Sequence, residues 1–210
     1  NNRYYGVYNY DAETLSVHHS VLWDNANGST GHSAGAGMIP ANPLMADPAA
    51  GDFEITENSP ARFSADDASD AGAVPYVSAP TTGLQGTLWS GASLGAGTHD
   101  VVGDLTVPFG QSLVLLPGAH LQMATTDQMK GYRDTARIEL RVLGSLIVDG
   151  SPADLVVMDS SGSSPSSWWG VDLLSTATGS IDDLDVSEAY YGLYYEATAD
   201  VPTTGVFAHH

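Results

Sequence analysis

The sequence contains no cysteine, and this absence excludes several classes of protein. Disulfide frameworks, zinc–thiolate centres and iron–sulfur clusters all need its sulfur. Lysine is nearly as scarce, because Lys130 is the single lysine among 210 residues. Six basic residues face 25 acidic ones, which gives a net charge of −19. Phosphate binding needs clustered basic side chains, so neither nucleic acid nor an anionic membrane surface is an expected partner.

Long apolar runs are also missing. A membrane-spanning helix needs roughly 18 or more consecutive apolar residues, and no such run occurs, so membrane insertion is not expected. Hydrophobic residues nevertheless make up 42% of the chain, which is enough for a sizeable core. The acidity suits a solvated surface or the attraction of divalent cations.

The apolar residues that are present follow the period of β-strands. Short β-rich runs alternate with Asn, Asp and Gly, and no helical period is visible. In residues 137–142, apolar side chains alternate strictly with charged ones. This pattern predicts a half-buried strand whose outer face carries a row of ion-paired side chains at the surface.

The clearest internal repeat is rich in tyrosine. Residues 190–194 read YYGLY, and residues 4–8 read YYGVY. An apolar run and a pair of histidines follow each copy, with 16 residues between the glycine and the first histidine in the late copy and 11 in the early one. Recurrence of one unit at this scale is typical of stacked repeat architectures.

Several further motifs occur in a characteristic order. They are Asp47-Pro48 leading to Asp52-Phe53, then Ser59-Pro60-Ala61, Val74-Pro75-Tyr76, the run from Val107-Pro108 to Leu121, Leu143-Gly144-Ser145-Leu146, and Trp168-Trp169-Gly170-Val171. The chain resembles bacterial secreted right-handed parallel β-helix proteins of the pectin-lyase-like superfamily. The earlier motifs are similar to closing segments of those proteins, and the later ones to their first and successive coils. The resemblance implies an all-β fold, a right-handed parallel β-helix or solenoid with an irregular cap and linker.

Changes of composition along the chain predict four regions. Residues 1–25 form a terminal β-helix coil or coils, and residues 26–76 form an irregular insertion with a closing cap. Residues 77–97 form a linker, because they are rich in Gly, Pro, Ser and Thr. Residues 98–210 form a second β-helix stack.

Three groups of side chains are candidates for metal binding. Stacking of successive coils would place the histidine pairs in a ladder that could bind a metal, or they are simply stacked polar residues. The two acidic clusters could supply oxygen ligands to calcium, or they are solvated turns. The candidate residues are His18, His19, His209 and His210, then Asp66, Asp67 and Asp70, and finally Asp182, Asp183 and Asp185.

The resemblance also implies a polysaccharide lyase or hydrolase, but no catalytic residue is predicted. A lyase site would want calcium-binding carboxylates beside an arginine or lysine base. Arg137 and Arg141 flank Glu139, and this row is interpreted as surface ion pairs. Hydrolysis would need two carboxylates across a groove, and nothing converges on Asp183 and Asp185.

The two ends of the sequence are complementary. If His210 were followed by Asn1 of another copy, Tyr4 would fall 24 residues after Tyr190, a plausible length for one coil. The alternatives are one repeat of a longer tandem chain and a fragment whose ends match through generic coil similarity. The expected interface residues are Asn1, Asn2, Tyr4, Tyr5, Tyr8, Tyr190, Tyr191, Tyr194, Phe207, His209 and His210.

The sequence thus favours a non-enzymatic extracellular or cell-surface protein, a β-helix unit of a fibre, filament or adhesin that associates with itself. The alternative is a carbohydrate-active β-helix enzyme or a sugar-binding module with polysaccharide as its ligand. No cofactor is firmly predicted, and calcium is the one candidate.

Overall fold

A computed structural model describes residues 4–10, 15–25, 27, 32–72 and 74–209. Every helix or strand assigned in these ranges is a β-strand, which confirms the predicted all-β class. The chain divides into two compact units. The first unit comprises Asn1–Thr81 with Met129–Arg133, and the second comprises Thr82–Gln128 with Asp134–His210.

The first unit contains four short strands: β1 (Leu15–Val17), β2 (His32–Ala34), β3 (Met45–Asp47) and β4 (Asp52–Ile55). Strands β1 and β2 pair in parallel, whereas β3 and β4 form an antiparallel pair with an irregular register. Ile39, Ile55 and Ala61 form one small buried cluster. Part of segment 26–76, predicted to be an irregular insertion and cap, therefore packs around a small core of its own.

The second unit contains the remaining strands. They are β5 (Leu84–Thr87), β6 (Ala92–Leu94), β7 (Gly97–Val107), β8 (Ser112–Leu115), β9 (Ala119–Met123), β10 (Glu139–Val142), β11 (Ser145–Asp149), β12 (Val156–Ser160), β13 (Gly170–Leu173), β14 (Thr178–Asp182), β15 (Leu184–Ser187), β16 (Leu193–Tyr195), β17 (Thr203–Thr204) and β18 (Phe207–His209).

All pairings in the second unit are parallel, and they form three ladders. The first ladder runs β5-β7-β10-β13-β16, and the second runs β6-β8-β11-β14-β17. The third runs β7-β9-β12-β15-β18, because the first half of β7 pairs with β9 and its last residues pair with β10. From β10 onwards, every third strand returns to the same ladder. This order of parallel strands is compatible with a β-helix.

The core of the second unit consists of aliphatic side chains that stack from strand to strand. In the first ladder Leu105, Leu140 and Val171 occupy paired positions, and each is at most 1% exposed. Full burial of such a side chain contributes about 1.5–3 kcal/mol, so register between strands is strongly favoured. The next member of the column, Leu193, is only half-buried.

The segment 77–97, predicted to be a linker, carries ordered strands. It contains β5 and β6 and the first residue of β7, and Leu88 within it is 5% exposed. Short strands joined by tight corners are as rich in glycine as a flexible connection, because corners need positive φ. Composition alone therefore did not separate the two.

Candidate functional site

The described histidines of the predicted ladder have different partners. His19 Nδ1 lies 2.7 Å from the carbonyl oxygen of Ser64, and the His18 and His19 rings are 5.5 Å apart. His209 Nε2 lies 2.8 Å from Asp185 Oδ1, at ion-pair distance but without the geometry of a hydrogen bond. His210 lies outside the described residues.

The first acidic cluster forms turns. Asp67 Oδ1 accepts a hydrogen bond of 2.9 Å from the Ser69 amide, and hydrogen bonds from Ser69 hold the pKa of Asp67 below its usual value. Asp70 accepts hydrogen bonds from the amides of Phe63 and Tyr76, at 3.1 and 2.8 Å. These two carboxylates therefore stabilise local chain reversals, and Asp66 lies exposed beside them.

The second acidic cluster spans a corner between two strands. Asp182 accepts a hydrogen bond from the Thr204 hydroxyl, and Asp183 turns the chain with a φ of 49°. Asp185 belongs to the next strand and faces His209. Within the described ranges, no group of three or more His, Asp or Glu side chains is arranged to hold a metal ion.

A set of buried carboxyl groups occupies the outer side of the first ladder. Asp104 and Glu139 lie on adjacent strands and are both 0% exposed, and Asp127 beside them is 6% exposed. The Glu139 amide donates to Asp104 Oδ1 at 2.8 Å, and the Asp104 amide donates to Asp127 Oδ1 at 3.1 Å. Asp172, also 0% exposed, pairs in register with Arg141 on the neighbouring strand.

Burial controls the protonation of this set. Desolvation, followed by the charge of Asp127, raises the pKa of Asp104 to about 9, so Asp104 carries its proton at neutral pH. Its Oδ2 atom is buried without a hydrogen-bond partner in the described residues. Side chains sealed from solvent cannot contact a bound polysaccharide, so this arrangement is suited to a structural role.

The interpretation of residues 137–142 as a row of surface ion pairs is wrong about the surface, although Glu139 does lie at ion-pair distance from Arg141. Glu139 is sealed from solvent, its Oε1 accepts the Asp134 amide at 2.7 Å, and its Oε2 lies 3.7 Å from Arg141 Nε. The connection between β9 and β10 brings Asp127 and Asp134 onto this face. Alternation identifies the two faces of a strand, but it does not show that a later connection covers the outer one.

The tyrosine repeat forms an aromatic cluster at the end of the first ladder. The Trp169 ring lies 5.3 Å from that of Tyr191 and 5.4 Å from that of Tyr194. Tyr190 is 50% exposed and packs under the Arg137 guanidinium at 4.4 Å. Side chains of this kind suit either a protein interface or the face of a sugar ring.

The early copy of the repeat has a similar local arrangement. The rings of Tyr5 and Tyr8 are 4.8 Å apart, and the equivalent rings of Tyr191 and Tyr194 are 5.2 Å apart. Tyr4 is 61% exposed, and its carbonyl oxygen accepts the Asn27 amide at 2.7 Å. Asn1 and Asn2, which were also expected at the interface, lie outside the described residues.

The last three strands of the second unit, β16, β17 and β18, form an uncovered edge. We call it the terminal edge. Each is the last member of its ladder, and no other described strand pairs with its outer side. Tyr195 is 49% exposed, whereas Leu173, its partner on the preceding strand, is 0% exposed. Ala208 is also exposed, whereas its partner Val186 is 1% exposed. The apolar core therefore continues to this edge without a cover from the described residues.

No described helix is long and apolar enough to cross a membrane. Comparisons with protein-family models, with curated proteins and with solved structures found no match.

Proposed function

We propose that this chain is a non-enzymatic extracellular structural protein, a unit of a surface fibre, filament or adhesin that associates with itself. Its second unit would be a right-handed parallel β-helix of the pectin-lyase-like kind, and each coil would contribute one strand to each ladder. The strand order supports this architecture, because the ladders take their strands in turn along the chain.

The uncovered terminal edge is the observation that carries this proposal. Core positions that are fully buried on β13 and β15 become exposed on β16 and β18. Strand edges with free backbone donors and acceptors invite pairing with another chain. A head-to-tail contact that does not close on itself produces a filament.

The buried carboxyl groups support the non-enzymatic part of the proposal. General acid–base catalysis needs a side chain within hydrogen-bond reach of its substrate. Asp104, the described carboxyl group whose pKa is raised to about 9, is 0% exposed. A neutral, buried acid contributes to packing and hydrogen bonding instead.

Sedimentation velocity over a wide range of protein concentration, together with electron microscopy, tests this proposal. We expect species that grow with concentration and end-to-end particles in micrographs. A monomer at every concentration would refute it. The net charge of −19 makes the ionic strength important, so the series is run at low and high salt.

The exposed rings of Tyr190 and Tyr191 favour the second candidate, a carbohydrate-active or sugar-binding module. Binding and turnover assays with acidic and neutral polysaccharides, with and without calcium, separate the two functions. Robust turnover would establish the second function in place of the structural one.

A further inference from the structure

We infer that the terminal edge binds residues 4–8 and 15–18 of a second copy of this chain, which extend the first and third ladders in parallel and in one fixed register. The register places Gly6 opposite Gly192 and Val17 opposite Ala208. This inference rests on the proposed self-association and identifies its partner.

The register follows from a three-step sequence pattern. Residues 168–171 (WWGV) and 190–193 (YYGL) have two aromatic residues, a glycine and an aliphatic residue, and residues 4–7 (YYGV) repeat this pattern. The first two steps lie side by side in the structure, with Val171 paired to Leu193. The third step therefore has the sequence expected of the strand that follows Leu193 in this ladder.

Gly192 has a weaker local need for glycine than Gly170, and this difference points to the same neighbour. Gly170 has a φ of 128°, and a Cβ atom there would lie 1.7 Å from the carbonyl oxygen of Tyr191, so its backbone conformation and the following strand both require glycine. A Cβ on Gly192 would meet only the Ala208 Cβ atom, at 3.2 Å. If a following strand repeated the arrangement, the carbonyl of Tyr5 would approach Gly192 as that of Tyr191 approaches Gly170.

The third ladder fits the same register. Residues 206–209 (VFAH) align with residues 15–18 (LSVH), and the two segments contain the parallel strands β18 and β1. Strand β1 pairs with β2 on one side, and no other described strand pairs with its opposite side. Val17 would then continue the column formed by Val186 and Ala208.

The different lengths of the two copies do not disturb this match. The late copy has 16 residues between its glycine and its first histidine, and the early copy has 11. In the late copy, residues 196–202 form a connection between β16 and β17. Extra residues at a corner leave the strands on either side in register, so the first and third ladders can both be extended by one shorter coil.

Substitution of Gly192 by alanine tests the contact. We expect Gly192→Ala to keep the circular dichroism of the unassociated protein and to lower its melting temperature far less than Gly170→Ala does, because its one near neighbour, the Ala208 Cβ atom at 3.2 Å, has to shift only slightly. We also expect it to abolish association, because the new Cβ would collide with the incoming carbonyl. Gly170→Ala is the comparison variant, and it is expected to destabilise the isolated chain, because its φ of 128° and its clash with the Tyr191 carbonyl are both internal to the chain.

Pairs of introduced cysteines test the register. The chain has no native cysteine, so any disulfide that forms must join the introduced residues. Adjacent parallel strands lie about 4.8 Å apart, within the range that a disulfide spans. A Ser16→Cys chain mixed with a Phe207→Cys chain is expected to give an oxidised heterodimer. Ser16→Cys mixed with Ala208→Cys is the control and is expected to give none, because adjacent residues of a strand face opposite sides.

The outcomes separate the two levels of the proposal. Association with the matched disulfide, lost in Gly192→Ala, supports the inference. Association that survives Gly192→Ala, or that lacks the matched disulfide, overturns this register and leaves self-association standing. If the unmodified chain stays monomeric at every concentration and salt, both are overturned.

Discussion

Replacement of Asp104 by asparagine is expected to stabilise the protein at neutral pH. The reason is the pKa of Asp104, which burial and the charge of Asp127 raise from 3.8 to about 9. In the unfolded chain the carboxyl group ionises near its ordinary value, whereas in the folded protein it keeps its proton. The free energy of unfolding therefore falls as the pH rises from about 4 towards 9.

The magnitude follows from the difference between the two pKa values. Each pH unit within this interval costs about 1.4 kcal/mol, so the accumulated loss at pH 7 is at most about 4 kcal/mol. Asparagine carries no ionisable group, and its side-chain oxygen can still accept the hydrogen bond that the Glu139 amide donates to Asp104 Oδ1. The variant should gain stability up to this limit at pH 7 and little at pH 4.

Denaturant unfolding, followed by the fluorescence of the four tryptophans, measures the effect between pH 4 and pH 8. Groups far from Asp104 contribute equally to both proteins, so the difference between variant and parent reports Asp104 together with its interaction with Asp127. Asp100→Asn, an exposed carboxyl group on the same strand, is the control and should not change the pH dependence. A variant that is less stable at pH 7 and keeps the parental slope would refute the reasoning.

Three further predictions concern packing, pH and salt. Leu140→Ala should lower the free energy of unfolding by about 2–5 kcal/mol, because Leu140 is 1% exposed. Leu193→Ala should lower it clearly less in the unassociated protein, because Leu193 is half-buried. Equal losses would contradict a core that ends at the terminal edge. Glu54 Oε1 accepts hydrogen bonds from the amides of residues 77–79 at 2.8–2.9 Å, and these bonds lower the pKa of Glu54. Their contribution to stability is therefore present above the usual pKa of a glutamate and is lost as the pH falls through the lowered pKa. NMR titration of the carboxyl group should give a lowered pKa, and an ordinary pKa would show that the contact is absent. Association should strengthen as salt rises, because each chain carries a net charge of −19, and sedimentation that weakens with salt would indicate an interface held by opposite charges.

The strand class and many of the strand positions within residues 98–210 could be predicted, because both depend on local alternation, whereas β5 and β6 lie in a segment predicted to be a linker. Residues 137–142 illustrate the success and its limit: Leu140 and Val142 are buried on one side as predicted, yet Glu139 on the other side is buried as well. The second face is buried because the connection between β9 and β10 covers it, and no pattern in the sequence of that connection indicates where it packs. The raised pKa of Asp104 could not be predicted either. In the sequence, a single aspartate within an apolar run looks like a surface residue.

The candidate site was predictable only in part. The tyrosine repeat was visible, and the structure places residues 190–194 at the end of a ladder. Pairing of Asp185 with His209 was not predicted, because the two residues meet across neighbouring strands and not within one motif. Segment 77–97 was interpreted as a linker, because corner glycines and linker glycines look identical in a composition profile.

Strand β7 has a consequence for how the second unit opens. Its 11 residues belong to the third ladder at one end and to the first ladder at the other. Local opening of the first ladder at β7 therefore strains the hydrogen bonds of the third ladder, and the reverse also holds. This couples the two ladders into one cooperative unit. At the far end, β16 and β18 are separate short strands, so each can detach by itself. We therefore expect the strands near β7 to open together and β16 and β18 to open independently of each other.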